Sequence, residues 1–234
     1  MAAKKTCLVI GAGAGIGGSV GKKFAGEGKK TAVVSTINGD ANVPFYKELG
    51  NQGVSSEDIP VIAFSVGEEE LSGFDTSPLV GHLAAWNYFQ SVENDANYDF
   101  IDNWHAFIGD KKRVTNDPME ATYIGFNMWA KAVTKAGTTS VDKVEQAMIG
   151  MTAPNLTGGT AVMNKNHHLS KPVLIGEIQE NGQFEVVWET DGLVAGDAWS
   201  DYLPGSKDLI ADWTPPLKCG NYNTKTKQCT GQSQ

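Results

Sequence analysis

Apolar positions near the start of the chain fall in short unbroken runs. Lys5–Ile10, Thr31–Thr36 and Pro60–Ser65 each carry such a block, the pattern of a strand buried on both faces. Helical spacing fills the gaps. Ile16–Glu27 reads as a helix stopped by Gly28, and Val43–Asn51 as a second, with Asn42 as its cap and Gly53 beyond its end. The order β-α-β-α-β over the first 65 residues predicts an α/β fold built on a doubly wound parallel sheet.

The pattern then changes. Val80–Val92 is apolar and aromatic and reads as a strand or a crossing segment. Three helices follow. Ala96–Ile108 places Phe100, Ile101, Trp104, Phe107 and Ile108 on one face. Pro118–Lys135 is capped by Asp117, ended by Gly137, and carries Tyr123, Phe126, Ala130 and Val133 as its expected core stripe. Val141–Ile149 is capped by Ser140. Val173–Ile178 and Phe184–Trp188 flank Asn181-Gly182, a strong hairpin signal. From Thr190 onward periodicity is lost and Gly, Pro and Asp accumulate, as in a segment that wraps a surface.

Composition narrows the function. Hydrophobic residues make up 41% and charged residues 20% of the 234, a globular balance. The net charge of −8 and scattered basic residues, with Lys111-Lys112-Arg113 as the one tight run, argue against nucleic acid as a partner. No apolar stretch approaches the roughly 20 residues of a membrane span. No secretory leader is legible before the first strand, so the chain as written is expected in the cytoplasm. Cys7 reads as a small buried hydrophobe. Cys219 and Cys229 bracket a polar loop and suit a disulfide in an oxidising setting, or two free thiols otherwise.

A glycine-rich turn, Gly11, Gly13, Gly15, Ile16 and Gly17, follows the first strand and opens the first helix. Free N–H groups there suit a pyrophosphate, so these residues are candidate contacts for an NAD(P)-type nucleotide. Over residues 1–28 this unit resembles the start of short-chain dehydrogenases. The rest of that chemistry is missing. After Val34 the first acid is Asp40, displaced from the usual ribose-binding place, and no Tyr-x-x-x-Lys pair occurs anywhere. No cofactor is expected, and nicotinamide binding, if retained, is weak.

From Gly28 to Tyr46 (GKKTAVVSTINGDANVPFY) the chain is similar to urea or short-amide binding proteins of ABC transporters. Ile62–Leu71, Gly81–Tyr88, Asn116–Ala121, Asn155–Gly159, Asn166–Leu169 and Trp188–Gly192 carry the same resemblance, which covers about residues 22–230. It implies the type I periplasmic binding fold: a Rossmann- or flavodoxin-like lobe, helices of a partial second lobe, and a C-terminal β-hairpin. It also implies a periplasmic or cell-surface setting for the family. The expected organisation is a dehydrogenase-like segment over 1–28, lobe core over 29–92, helices of the other lobe over 93–160, and a returning hairpin and wrap over 161–234. Such a chain reads as a chimera with its seam near Lys22–Ala25.

Ligands of parallel sheets sit beyond the carboxyl ends of the strands. The second strand leads into Asn38 and Asp40, and the third ends at Ser65 before Gly67 and Glu68. Urea offers N–H donors and one carbonyl, so it needs a carboxylate with hydroxyl or backbone partners. Asn38, Asp40, Ser65, Gly67 and Glu68 are therefore the candidate ligand residues. The same residue types also favour ordinary turns and caps. His167 and His168 are adjacent and lack a third ligand, so no metal is expected. No nucleophile motif or acid–base pair marks a catalytic site. An apolar face left open on the helices from Ala96 to Ile149 predicts self-association.

Overall fold

The computed structural model describes Thr6–Ile10, residues 30–72 and 75–196, and the short strands Tyr222–Asn223 and Gln228–Cys229. The glycine-rich turn, the helix expected after it and the expected Cys219–Cys229 disulfide lie outside the described residues. The chain divides into two compact units, Met1–Gly196 and Asp197–Gln234. In the smaller one, β10 (Tyr222–Asn223) and β11 (Gln228–Cys229) pair antiparallel.

The larger unit is built on a six-stranded sheet in the order β1-β2-β3-β4-β8-β9. β1 (Thr6–Ile10), β2 (Lys30–Ser35), β3 (Val61–Ala63) and β4 (Leu83–Trp86) run parallel. β8 (Leu174–Ile178) joins β4 antiparallel and turns back into β9 (Phe184–Glu189). The expected α/β fold with a parallel sheet and a closing hairpin is thus present. At the hairpin turn Gly182 has φ +75, and the Asn181 carboxamide accepts the Gln183 N–H at 3.0 Å. Val80–Val92 resolves into both readings, with β4 as a strand and the residues after Trp86 as a crossing.

α1 (Asn42–Asn51) and the short α2 (Glu68–Leu71) follow β2 and β3. α3 (Asp95–Ile108), α4 (Asp117–Ala136) and α5 (Val141–Met148) form the helical part. A small antiparallel sheet, absent from the sequence reading, completes it: β5 (Thr152–Pro154), β6 (Thr160–Met163) and β7 (Leu169–Ser170).

Among the described residues there are two hydrophobic cores. One lies on the large sheet and includes Tyr46, Leu79, Phe89, Leu174 and Phe184. The other lies between the helices and the small sheet and includes Tyr88, Phe100, Ile124, Met128 and Met163. Tyr88 and Phe89 are consecutive, both fully buried, and belong one to each core. Residues 87–92 are therefore the joint between them. On the sheet side the Phe89 and Phe184 rings stack with centroids 4.5 Å apart.

Four local expectations are corrected. Asn42 is the first residue of α1 rather than its cap, and its side chain spans two loops instead. Asn116, not Asp117, caps α4 by accepting the Met119 N–H at 3.1 Å. The buried face of α4 carries Asp117, Glu120, Ile124, Met128 and Ala132, whereas Tyr123 and Phe126 are 42% and 63% exposed. Aromatic bulk marked the outer face because two buried acids sit on the inner one. The α3 stripe is buried at Phe100 and open at Phe107, which is 84% exposed.

Candidate functional site

The parallel strands β2, β3 and β4 end on the same side, and the loops beyond them form the candidate site. Asn38 and Asp40 stand in solvent around the 3-10 turn Gly39–Ala41. The Asn42 amide donates to the Ile37 carbonyl at 3.1 Å and to the Ser65 carbonyl at 3.3 Å, tying the β2 and β3 loops together. Ser65 is half-buried and Gly67 is buried. A Cβ on Gly67 would stand 3.3 Å from the Trp86 ring, a tight approach that marks how closely the ring packs on this backbone. The Gly67 N–H donates to Glu70 Oε2 at 2.9 Å.

Glu68 departs most from a solvated helix start. It is 1% exposed, and its Oε1 accepts the Gln90 N–H at 2.6 Å. Its Oε2 is buried without a hydrogen-bond partner among the described residues. The structure thus joins Ser65, Gly67 and Glu68 to the β2 loop through Asn42, and joins Glu68 to the crossing. It places Asn38 and Asp40 at the exposed rim.

The crossing carries a polar network that sequence reasoning did not find. The Tyr88 hydroxyl donates to Asn97 Oδ1 at 2.8 Å and lies 2.7 Å from Thr115 Oγ1. Gln90 Oε1 accepts the Thr115 N–H at 2.6 Å, and the Asn97 amide donates to the Gln90 and Val92 carbonyls. Asp117 Oδ2 accepts the Asn87 N–H at 3.0 Å. The Asn87 amide reaches the Pro172 carbonyl at 2.7 Å. Next to it Lys171 and Glu120 form a buried ion pair. The available signal was the presence of Asn87 and Gln90 among the aromatic residues of a largely apolar run.

Burial governs the electrostatics. It pushes the Glu68 carboxyl up to about 8, with Glu70 and Asp117 adding to the rise and the N–H bonds opposing it. It pushes Glu120 up to about 7 against the attraction of Lys171. Asp117 is raised by burial too, and His82, whose Nδ1 accepts the Val61 N–H at 3.1 Å, is lowered by burial. Two surface clefts, of about 380 and 280 Å³, lie away from the strand tips. The first is bounded by Ser91, Phe184 and Val186, the second by Ala96, Tyr123 and Asn127. Among the described residues no three His, Cys, Asp or Glu side chains are grouped to hold a metal. No described helix is long and apolar enough to cross a membrane.

The parallel strand tips thus meet a hydrogen-bonded joint between the two cores. The chain belongs to the periplasmic binding protein domain family, whose profile matches residues 20–205. This is a family of binders, in keeping with a chain read as non-enzymatic. Solved structures show the same fold. A solute-binding protein of an ABC transporter from Rhodopseudomonas palustris, in complex with 3,4-dihydroxybenzoic acid, is 15% identical with a TM-score of 0.64. That match covers 75% of this chain and 49% of the other. An amino acid ABC transporter substrate-binding protein from Pseudomonas fluorescens is 18% identical with a TM-score of 0.59, over 83% and 61% of the two chains. A curated relative, "Limonene hydroxylase" from Geobacillus stearothermophilus, is 31% identical over 111 residues, 47% of this chain and 20% of that protein. The chain therefore spans about half to three-fifths of these solved structures and a fifth of the curated relative.

Proposed function

We propose that the chain is the greater part of a solute-binding lobe of an ABC transporter, selective for urea or another short amide and joined to a dehydrogenase-like first β-α unit. The observation that carries this reading is the tie made by Asn42 between the loops of Asn38–Asp40 and Ser65–Glu68. That tie supports a site beyond the carboxyl ends of β2 and β3, where carboxylate, hydroxyl and amide groups offer the mixture that a small neutral amide needs. Asp40 is the acceptor for amide N–H groups, with Asn38 and the Ser65 hydroxyl supplying the rest, while Gly67 and Glu68, buried behind them, fix the β3 loop in place.

Isothermal titration with urea, acetamide, 4-hydroxybenzoate and NADH tests the proposal. Heat with urea or acetamide, reduced at least tenfold in affinity by Asp40→Asn, is the expected result. Heat with 4-hydroxybenzoate alone would overturn the amide assignment and move the chain to an aromatic-acid class. Heat with NADH alone would move the binding site to the glycine-rich turn. Silence from all four on folded protein would leave a hybrid without a ligand.

A further inference from the structure

Three buried carboxyls, Glu68, Asp117 and Glu120, converge on the crossing with one ammonium, Lys171. Lys171 is committed to Glu120. The groups facing Glu68 are Glu70 on its own helix, Asp117 on α4 and Tyr88 on the crossing. Outside this cluster Glu69 pairs with Arg113 on the surface at 3.3 Å. Ionised Glu68 would thus be a desolvated anion beside other acids, with one oxygen lacking any donor. Its other oxygen holds the backbone of Gln90, whose carbonyl and side chain in turn anchor Asn97 and Thr115. The Gln90 N–H bond ties the segment after Trp86 to the buried Glu68 carboxyl, so hydrating that carboxyl disturbs the segment.

We propose that Glu68 is a proton-operated latch on the joint between the two cores. Neutral, it holds residues 87–92 against the tip of β3. Ionised, it draws water and releases them, so the joint loosens as pH rises. The sign follows from linkage. Closure favours the protonated carboxyl, whose affinity for the proton is raised from 4.5 to about 8. Its contribution to closure is therefore complete below 4.5 and is lost as pH climbs through about 8. Opening of the joint then increases by up to about tenfold per pH unit across that window.

Amide hydrogen exchange of residues 87–92, corrected for the intrinsic rate at each pH, reads this directly. The expected result is a loss of protection at Gln90 of more than about tenfold between about pH 6 and pH 8. Glu68→Gln, which keeps the acceptor for the Gln90 N–H, is expected to show a flat profile. An equal loss of protection in Glu68→Gln, or none in the wild type, would overturn the latch. Should that variant fail to fold, the Glu68 carboxyl carbon is followed by NMR in the wild type. A midpoint near 8, the pH at which the loss of protection levels off, supports the proposal, and a midpoint near 4.5 overturns it.

Discussion

Gly176 shows how one residue sets the packing beneath the crossing. It lies in β8 at an irregularity of the β8–β9 register, where a Cβ would stand 2.8 Å from the Phe89 ring and 3.0 Å from Phe184. Both rings are fully buried and stacked on each other, so neither can withdraw without opening the sheet core. Gly176→Ala is expected to destabilise the fold by about 1 to 3 kcal/mol, the cost typical of overpacking. A thermal melt checks this. An unchanged midpoint would mean that the rings give way more easily than their burial implies. Glu68 teaches the converse lesson at the same scale. It stood out in the sequence as one of three consecutive acids, yet nothing local indicated that it faces inward while Glu69 meets Arg113 at the surface.

At the scale of elements, periodicity located most of the fold. The strands of the large sheet, the helices of the second part and the hairpin around Asn181-Gly182 follow from runs, caps and turn residues. β5, β6 and β7 did not, because strands of two to four residues are too short to carry a period. The polar network escaped for another reason. Gln90, Asn97, Thr115, Asp117, Glu120 and Lys171 come from separate segments, and only the tertiary fold brings them together. The α4 cap makes the point testable. Asn116 accepts the Met119 N–H, which frees Asp117 to hold the crossing through Asn87. Asn116→Ala is expected to cost about 1 kcal/mol, measured by urea-free thermal or guanidinium unfolding. Asn116→Asp, which keeps the acceptor, should restore it. Loss of stability in both would assign Asn116 some role other than capping.

For the larger unit as a whole, the aromatic side chains left in solvent matter most. Phe107, Phe126, Trp129 and Tyr123 are exposed by 84%, 63%, 43% and 42% on α3 and α4. The Phe100 and Tyr123 rings meet at 4.9 Å and link the two helices, and Phe126 lies 5.7 Å from Trp129. Grouped exposed apolar surface of this kind promotes association. At tens of micromolar, light scattering is expected to report species larger than one chain, and Phe126→Lys to reduce them without lowering the melting temperature. A strictly monomeric wild type at that concentration would remove self-association from the picture.

Tyr88 and Phe89 are neighbours in the chain, yet one ring belongs to the helical core and the other to the sheet core. Their side chains are separated by a single peptide bond, so neither core can shift along the chain by even one position without displacing the other. An extra residue inserted between them would disturb both interiors at once, whereas trimming either ring would wound only one. The two cores are for this reason expected to melt together as one cooperative body, like two pages bound on the same stitch.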